Sequence, residues 1–121
     1  MADKTISSEE LERLIDLNKS YILIDVREPY EVESYGAIPT SHNIPLDEIK
    51  EALNLQPIEF EIKYHFKKPT NNSLLIFHCR SGSRSQVATE LALSLGFNAK
   101  NYQGSILEWA DMHPDGDVIK Y

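Results

Sequence analysis

The chain has 121 residues, with 12 basic and 19 acidic side chains and a net charge of −7. That length suits one compact domain, able to bury roughly two thirds of its unfolded surface without a disulfide or metal staple. The acidic balance argues against nucleic acid or an anionic membrane as the main partner, and a single cysteine, Cys79, excludes an internal disulfide and a thiol-built metal cluster within one chain.

The N-terminal MADKTISSEELERL has no apolar core of signal-peptide length and carries acids that a transit peptide lacks. No apolar run reaches membrane-spanning length. The expected compartment is a reducing one, most simply the cytoplasm, with mitochondrial import by an internal signal as the alternative. Ser7 or Ser8 reads as the N-cap of a first helix, with Glu9 and Glu10 in its first turn. Leu11, Leu14, Ile15 and Leu17 make its apolar stripe, and Asn18 ends it. YILID (21–25) is a short buried strand. Pro29 opens a short helix to about Ser34. Gly36 and Pro39 punctuate a loop, HNI (42–44) is a second short strand, and a helix runs from about Leu46 to Leu53.

After Pro57, Ile58, Ile62 and Phe66 recur every fourth residue, which predicts a helix, although Ile58, Phe60 and Ile62 alternate as in a strand. Thr70, Asn71 and Asn72 form a turn. LLIFHC (74–79) is the strongest strand in the chain, apolar throughout and so buried on both faces. A long helix follows from Arg84 to Leu95, with Val87, Ala88, Leu91, Ala92 and Leu95 expected on one face and Gly96 just past its end. KNYQG (100–104) is a last strand and turn, SILEWA (105–110) a short helix. We expect one domain over 1–121, its core at about 5–112 and a tail at 113–121. Alternating strands and helices imply a parallel sheet covered on both faces. In such sheets ligands bind beyond the carboxyl ends of the strands, where Cys79 stands.

A lone cysteine ending an apolar strand is most often a small core residue. The segment HCRSGSRS (78–85) argues otherwise. Only Arg80, Ser81, Gly82 and Ser83 separate Cys79 from the helix at Arg84, so the loop must curl tightly, and Gly82 permits a positive φ. Such a curl points successive N–H groups inward, and the helix N-terminus adds partial positive charge. The loop is therefore an anion cradle with sulfur at its floor. A thiol, ordinarily with a pKa of about 8.5, is lowered in such surroundings, and the thiolate is the attacking form. Arg80 and Arg84 would bind an oxyanion.

These residues resemble a family. Cys-x-x-Gly-x-Arg between a strand and a helix, preceded by Ile24-Asp25-Val26-Arg27, is similar to the rhodanese-like domain, and the likeness covers nearly the whole chain. The resemblance implies a rhodanese-like α/β fold with a central parallel five-stranded sheet and helices on both faces. It implies a single-domain thiosulfate sulfurtransferase in which Cys79 takes a sulfane sulfur as a persulfide. The backbone from Arg80 to Arg84 would cradle the outer sulfur, and Asp25 and Arg27 would support the loop. The donor would be thiosulfate or glutathione persulfide, the acceptor cyanide or a thiol such as glutathione or a thioredoxin-like protein, and no cofactor is required. Gly104 and Trp109 match a closing Gly…Trp stretch. Two stretches depart. Where the family reads Gly-His-Ile-Pro-Gly-Ala, this chain has Gly36-Ala37-Ile38-Pro39-Thr40-Ser41, and its closing pair is Gly104-Ser105.

Cysteine phosphatases place five residues between cysteine and arginine, for a tetrahedral phosphate. Here there are four, which makes a phosphatase or arsenate reductase the weakest reading. The nearer alternative is a non-catalytic rhodanese-like binding or sulfur-carrier module, against which stands the intact Cys79 with both arginines, since a pure binding module could lose them without cost. His78 is expected to pack under the sheet, opposite Cys79. His42, His65 and His113 lack metal-ligand spacing, and no metal site is expected. Glu48, Glu51, Glu59 and Glu61 read as a solvated face, Phe60, Tyr64 and Phe66 as a helix packed on the sheet, and Tyr35 as a candidate for the pocket rim.

Overall fold

The structure, a computed structural model, describes residues 4–17 and 20–114. Asn18, expected to end the first helix, and most of the expected tail lie outside them. The elements in chain order are α1 (Ser8–Asp16), β1 (Ile22–Asp25), α2 (Pro29–Tyr35), β2 (His42–Asn43), a 3-10 turn (Leu46–Glu48), α3 (Ile49–Asn54), α4 (Pro57–Tyr64), β3 (Leu74–His78), α5 (Ser83–Ser94), β4 (Asn98–Asn101) and α6 (Ser105–Met112). The sheet is parallel throughout, in the order β2-β1-β3-β4. Among the described residues no helix is long and apolar enough to cross a membrane.

Among the described residues the sheet has four strands, not the expected five. A fifth position exists at the edge beside β4, where Thr5 makes one isolated parallel bridge to Asn101. The pairing stops there because Ser7 already caps α1, accepting from the Glu10 N–H while the Glu10 carboxylate reaches back to the Ser7 N–H.

Strand alternation divides the core into two layers. Ile24, Val26, Leu75 and Phe77 face α3, α4 and α5, meeting Ile49, Leu53, Phe60, Ala88 and Ala92. Leu23 and Ile76 face the other way, onto Leu11, Tyr102, Ile106 and Trp109. The expected α4 helix is present, but its apolar repeat points outward. Ile58 and Ile62 are 68% and 70% exposed and Phe60 is fully buried. At 100° per residue, positions two apart lie on nearly opposite sides of a helix, so burying the ring of Phe60 exposes both isoleucines. The same geometry corrects α5. It buries Ser85, Ala88, Thr89 and Ala92, small residues that let the helix lie close to the sheet, and Val87 faces solvent on the far side.

Among the described residues, three other than glycine take left-handed backbone: Thr40 (φ 73), His65 (φ 64) and Ser105 (φ 55). Thr40 and Ser105 occupy the two positions where the resembled family has glycine. The turn at 36–41 therefore keeps the glycine conformation without the glycine, and the Thr40 hydroxyl is hydrogen-bonded to the Tyr21 hydroxyl at 2.8 Å. A β-branched residue there carries about 1–2 kcal/mol of local strain. Thr40→Gly relieves it, less the added freedom of the unfolded chain. We expect a thermal midpoint higher by about 2–4 °C, read by calorimetry; a lower midpoint would show that the Tyr21 bond outweighs the strain.

Candidate active site

β1 and β3 are neighbours in register, with Asp25 opposite His78. Their carboxyl ends therefore leave the sheet side by side, one carrying Asp25 to Arg27 and the other Cys79. A main-chain bond from Val26 N to His78 O (2.9 Å) extends the pairing by one residue. Ile24 and Phe77 point one way from this pair and His78 the other, so Cys79 falls on the α5 side and His78 under the sheet, as expected.

Cys79 is 1% exposed. Its Sγ accepts from Gly82 N at 3.1 Å and lies 3.4 Å from Ser85 Oγ. Burial pushes the thiol up, but the Ser85 hydroxyl and the backbone N–H groups of Ser85, Gly82 and Ser81 outweigh it, and the thiol sits below its ordinary value. Ser85 has one proton and two acceptors within reach, Sγ and Gly82 O (3.1 Å). Gly82 O also accepts from Gln86 N and Asn101 Nδ2. The hydroxyl can therefore turn to the thiolate without leaving that carbonyl bare.

Gly82 is required twice. Its φ is +102°, and a Cβ there would stand 2.4 Å from Gln103 O. The cysteine backbone is held by α6. Cys79 N donates to Ser105 Oγ (3.1 Å), which donates onward to Tyr102 O (2.8 Å). Ile106 N donates to Cys79 O and Leu107 N to Arg80 O. Ser105 thus exchanges the ease of glycine for a hydroxyl that satisfies a buried N–H.

The sequence expected Arg80 and Arg84 to share the anion. The structure separates them. Arg84 makes a bidentate pair with Glu31 (2.6 and 2.9 Å), which holds that carboxyl down at about 2. Arg27, 1% exposed, is matched by Asp25 (2.6 Å) and donates to Gly36 O (2.7 Å). Arg80 is exposed and its guanidinium has no partner among the described residues. Ser81 and Ser83 are exposed on the loop, so of the predicted set Cys79 and Gly82 are at the floor and Arg80 at the mouth. His78 is fully buried, with Nδ1 3.3 Å from Cys79 O and Nε2 3.8 Å from Asp25 Oδ2. Burial lowers its pKa, so it is neutral near pH 7.

Sequence reading missed Glu31, Ser85 and Ser105. Ser85 lies one residue past the loop and was legible as a hydroxyl in the first turn of α5. Glu31 meets Arg84 across 53 positions, and Ser105 meets Cys79 across 26, contacts that no local pattern marks.

The model of the rhodanese-like domain matches residues 7–112. The chain belongs to the rhodanese-like domain family. This rhodanese-like chain is 40% identical over 120 residues to the thiosulfate sulfurtransferase RDL2, mitochondrial, of Saccharomyces cerevisiae, covering 93% of this chain and 80% of that one. It is 38% identical over 109 residues to the human thiosulfate:glutathione sulfurtransferase, covering 88% and 93%. The solved structure of the human single-domain sulfurtransferase TSTD1 superposes with a TM-score of 0.86 at 38% identity, over 91% and 97% of the two chains. With the cysteine in place at the loop floor, the reaction class of this rhodanese-like domain is sulfur transfer.

Because the Ser85 hydroxyl is the strongest lowering contact on the sulfur, Ser85→Ala should slow alkylation of Cys79 at pH 7 by about tenfold, the worth of one hydrogen bond to a charged group. The midpoint of the rate-against-pH curve should move up toward that of an ordinary thiol. An unchanged curve would assign the lowering to the backbone N–H groups alone.

Proposed function

We propose that this chain moves a sulfane sulfur from thiosulfate, or from a persulfide such as glutathione persulfide, to a thiol acceptor through a persulfide on Cys79. The observation that carries this reading is the sulfur itself. It is buried, it is held by a backbone N–H and a hydroxyl, and it lies at the floor of a loop only four residues long.

The Cys79 thiolate attacks the outer sulfur of thiosulfate. The S–S bond of the donor breaks, and sulfite leaves with the electron pair. Sulfite is a stable anion, so this step needs no general acid. The outer sulfur, now bonded to Sγ, is itself an anion. The N–H groups from Arg80 to Arg84 and the N-terminus of α5 stabilise it without reorganisation. An acceptor thiolate then attacks that outer sulfur, and the pair returns to Cys79. Cyanide does the same and leaves as thiocyanate.

Arg80 binds the donor, since its charge is the one not already matched. Arg84 and Glu31 clamp the loop to α2, and Asp25 and Arg27 clamp the end of β1. Glutathione is the first acceptor we name, and a thioredoxin-like protein the second. The compartment we assign is the cytoplasm, with mitochondria second because a relative is named mitochondrial. A phosphatase reading is weaker because four residues, not five, span from Cys79 to Arg84.

The reduced protein incubated with thiosulfate should gain one sulfur atom by intact mass and lose it to cyanide, whereas Cys79→Ala should do neither. No gain from thiosulfate or from glutathione persulfide, or turnover of an aryl phosphate, would sink the reading. Arg80→Ala should raise KM for thiosulfate about tenfold and leave kcat near wild type, the pattern of a lost uniform binding contact.

A further inference from the structure

Beside the loop, a pocket of about 360 Å³ opens between α2 and α6, lined by Tyr30, Tyr35, Arg80, Ile106, Leu107 and Ala110, with Arg27 and Glu31, each already paired with an opposite charge, completing the wall. Its volume falls in the range of about 300–1,000 Å³ typical of small-molecule sites. Three of its large side chains are left in water: Tyr30 is 67% exposed, Tyr35 68% and Leu107 50%. Two aromatic rings and a leucine converging on one concavity make a binding surface more than a solvated one.

The pocket adjoins the cysteine loop, since Arg80, next in the chain to the nucleophile, lines it. Ile106 and Leu107, which also line it, donate their N–H groups to Cys79 O and Arg80 O. Arg80 brings to it a cation that no described residue neutralises. In a chain of net charge −7, such a cation offsets the repulsion that an anionic ligand meets elsewhere on the surface. Cys79 is 1% exposed, so an acceptor must reach its sulfur on a slender arm. A folded protein thiol would instead need roughly 800 Å² of matching surface on each partner.

We infer that this groove is the acceptor site, that it takes a small peptide-like thiol carrying a carboxylate, and that Tyr30, Tyr35 and Leu107 determine which thiols are served. The inference rests on the sulfur-transfer reading of Cys79. Arg80 holds the carboxylate of the acceptor after the donor's sulfite has left. The rings and Leu107 cover its apolar spine. The acceptor thiolate attacks the outer sulfur, the bond to Sγ breaks, and Cys79 recovers its thiolate with no oxidant or reductant consumed. Cyanide spans none of these contacts.

The test is single-turnover discharge of the full chain preloaded with one sulfur, so that donor binding is not read. Four probes are compared: glutathione, 2-mercaptoethanol (a thiol without a carboxylate), cyanide and a thioredoxin-type protein. Tyr35→Ala and Leu107→Glu change exposed side chains, and their folding is checked by thermal melting. Each should lower the ratio of glutathione to cyanide discharge about tenfold, the usual loss for one good contact. Arg80→Gln should erase the preference for glutathione over 2-mercaptoethanol. If the wild type loads and discharges to cyanide but the glutathione ratio is unmoved by Tyr35→Ala and Leu107→Glu, the groove is not the acceptor site. The same holds if only discharge to a thioredoxin-type protein falls. A wild type that never loads sulfur overturns the sulfur-transfer reading and this inference together.

Discussion

A guanidinium with almost no contact with water is the constraint around which the site end of this molecule is arranged. Arg27 can be buried only because Asp25, two residues earlier on the same strand, supplies a carboxylate. The pair is not a net source of stability, since desolvating both charges costs about what their attraction returns. Its effect is geometric. Arg27 also donates to Gly36 O, and Asn43 bonds the carbonyls of both Asp25 and Arg27. The buried charge thereby joins the end of β1 to the loop after α2, and Asn43 ties the same stretch of main chain to β2. Removing either partner would leave the other charged and uncompensated, which is why the two residues act as one unit.

Charge matching then divides the arginines of the site. Two of them, Arg27 and Arg84, are structural cations whose fields are largely cancelled by Asp25 and Glu31. The third, Arg80, keeps its field. A count of positive residues near Cys79 would suggest a strongly electropositive pocket. The geometry instead gives one directed charge above a ring of neutral hydrogen-bond donors. Such a site favours a small or singly anchored anion, and the sulfur itself is stabilised by dipoles that cost nothing to reorient.

How much was legible in the sequence follows from the range of the interactions. The run Leu74 to Cys79 could be nothing but a buried strand, and a four-residue loop with Gly82 before a helix announces a cradle by local geometry alone. The helix at Pro57–Tyr64 was legible, but its inward face was not. Ile58 and Ile62 suggested a buried stripe, and the larger ring of Phe60 took the inside. The fifth strand was implied by resemblance, and the early cap at Ser7 leaves only a bridge at Thr5. Glu31 and Ser105 were invisible for a different reason. Their roles exist only once β1, α2, β3 and α6 have been assembled, and neither residue type is unusual where it stands.

Helix α6 has a dual allegiance. Ile106 and Leu107 hold the cysteine loop by their main chain and also line the adjacent groove. With the bond from Cys79 N to Ser105 Oγ, three consecutive residues of one helix fix the backbone on both sides of the nucleophile. The start of α6 is thus a shared wall, and a substitution that displaced it would reach the cysteine backbone and the groove together.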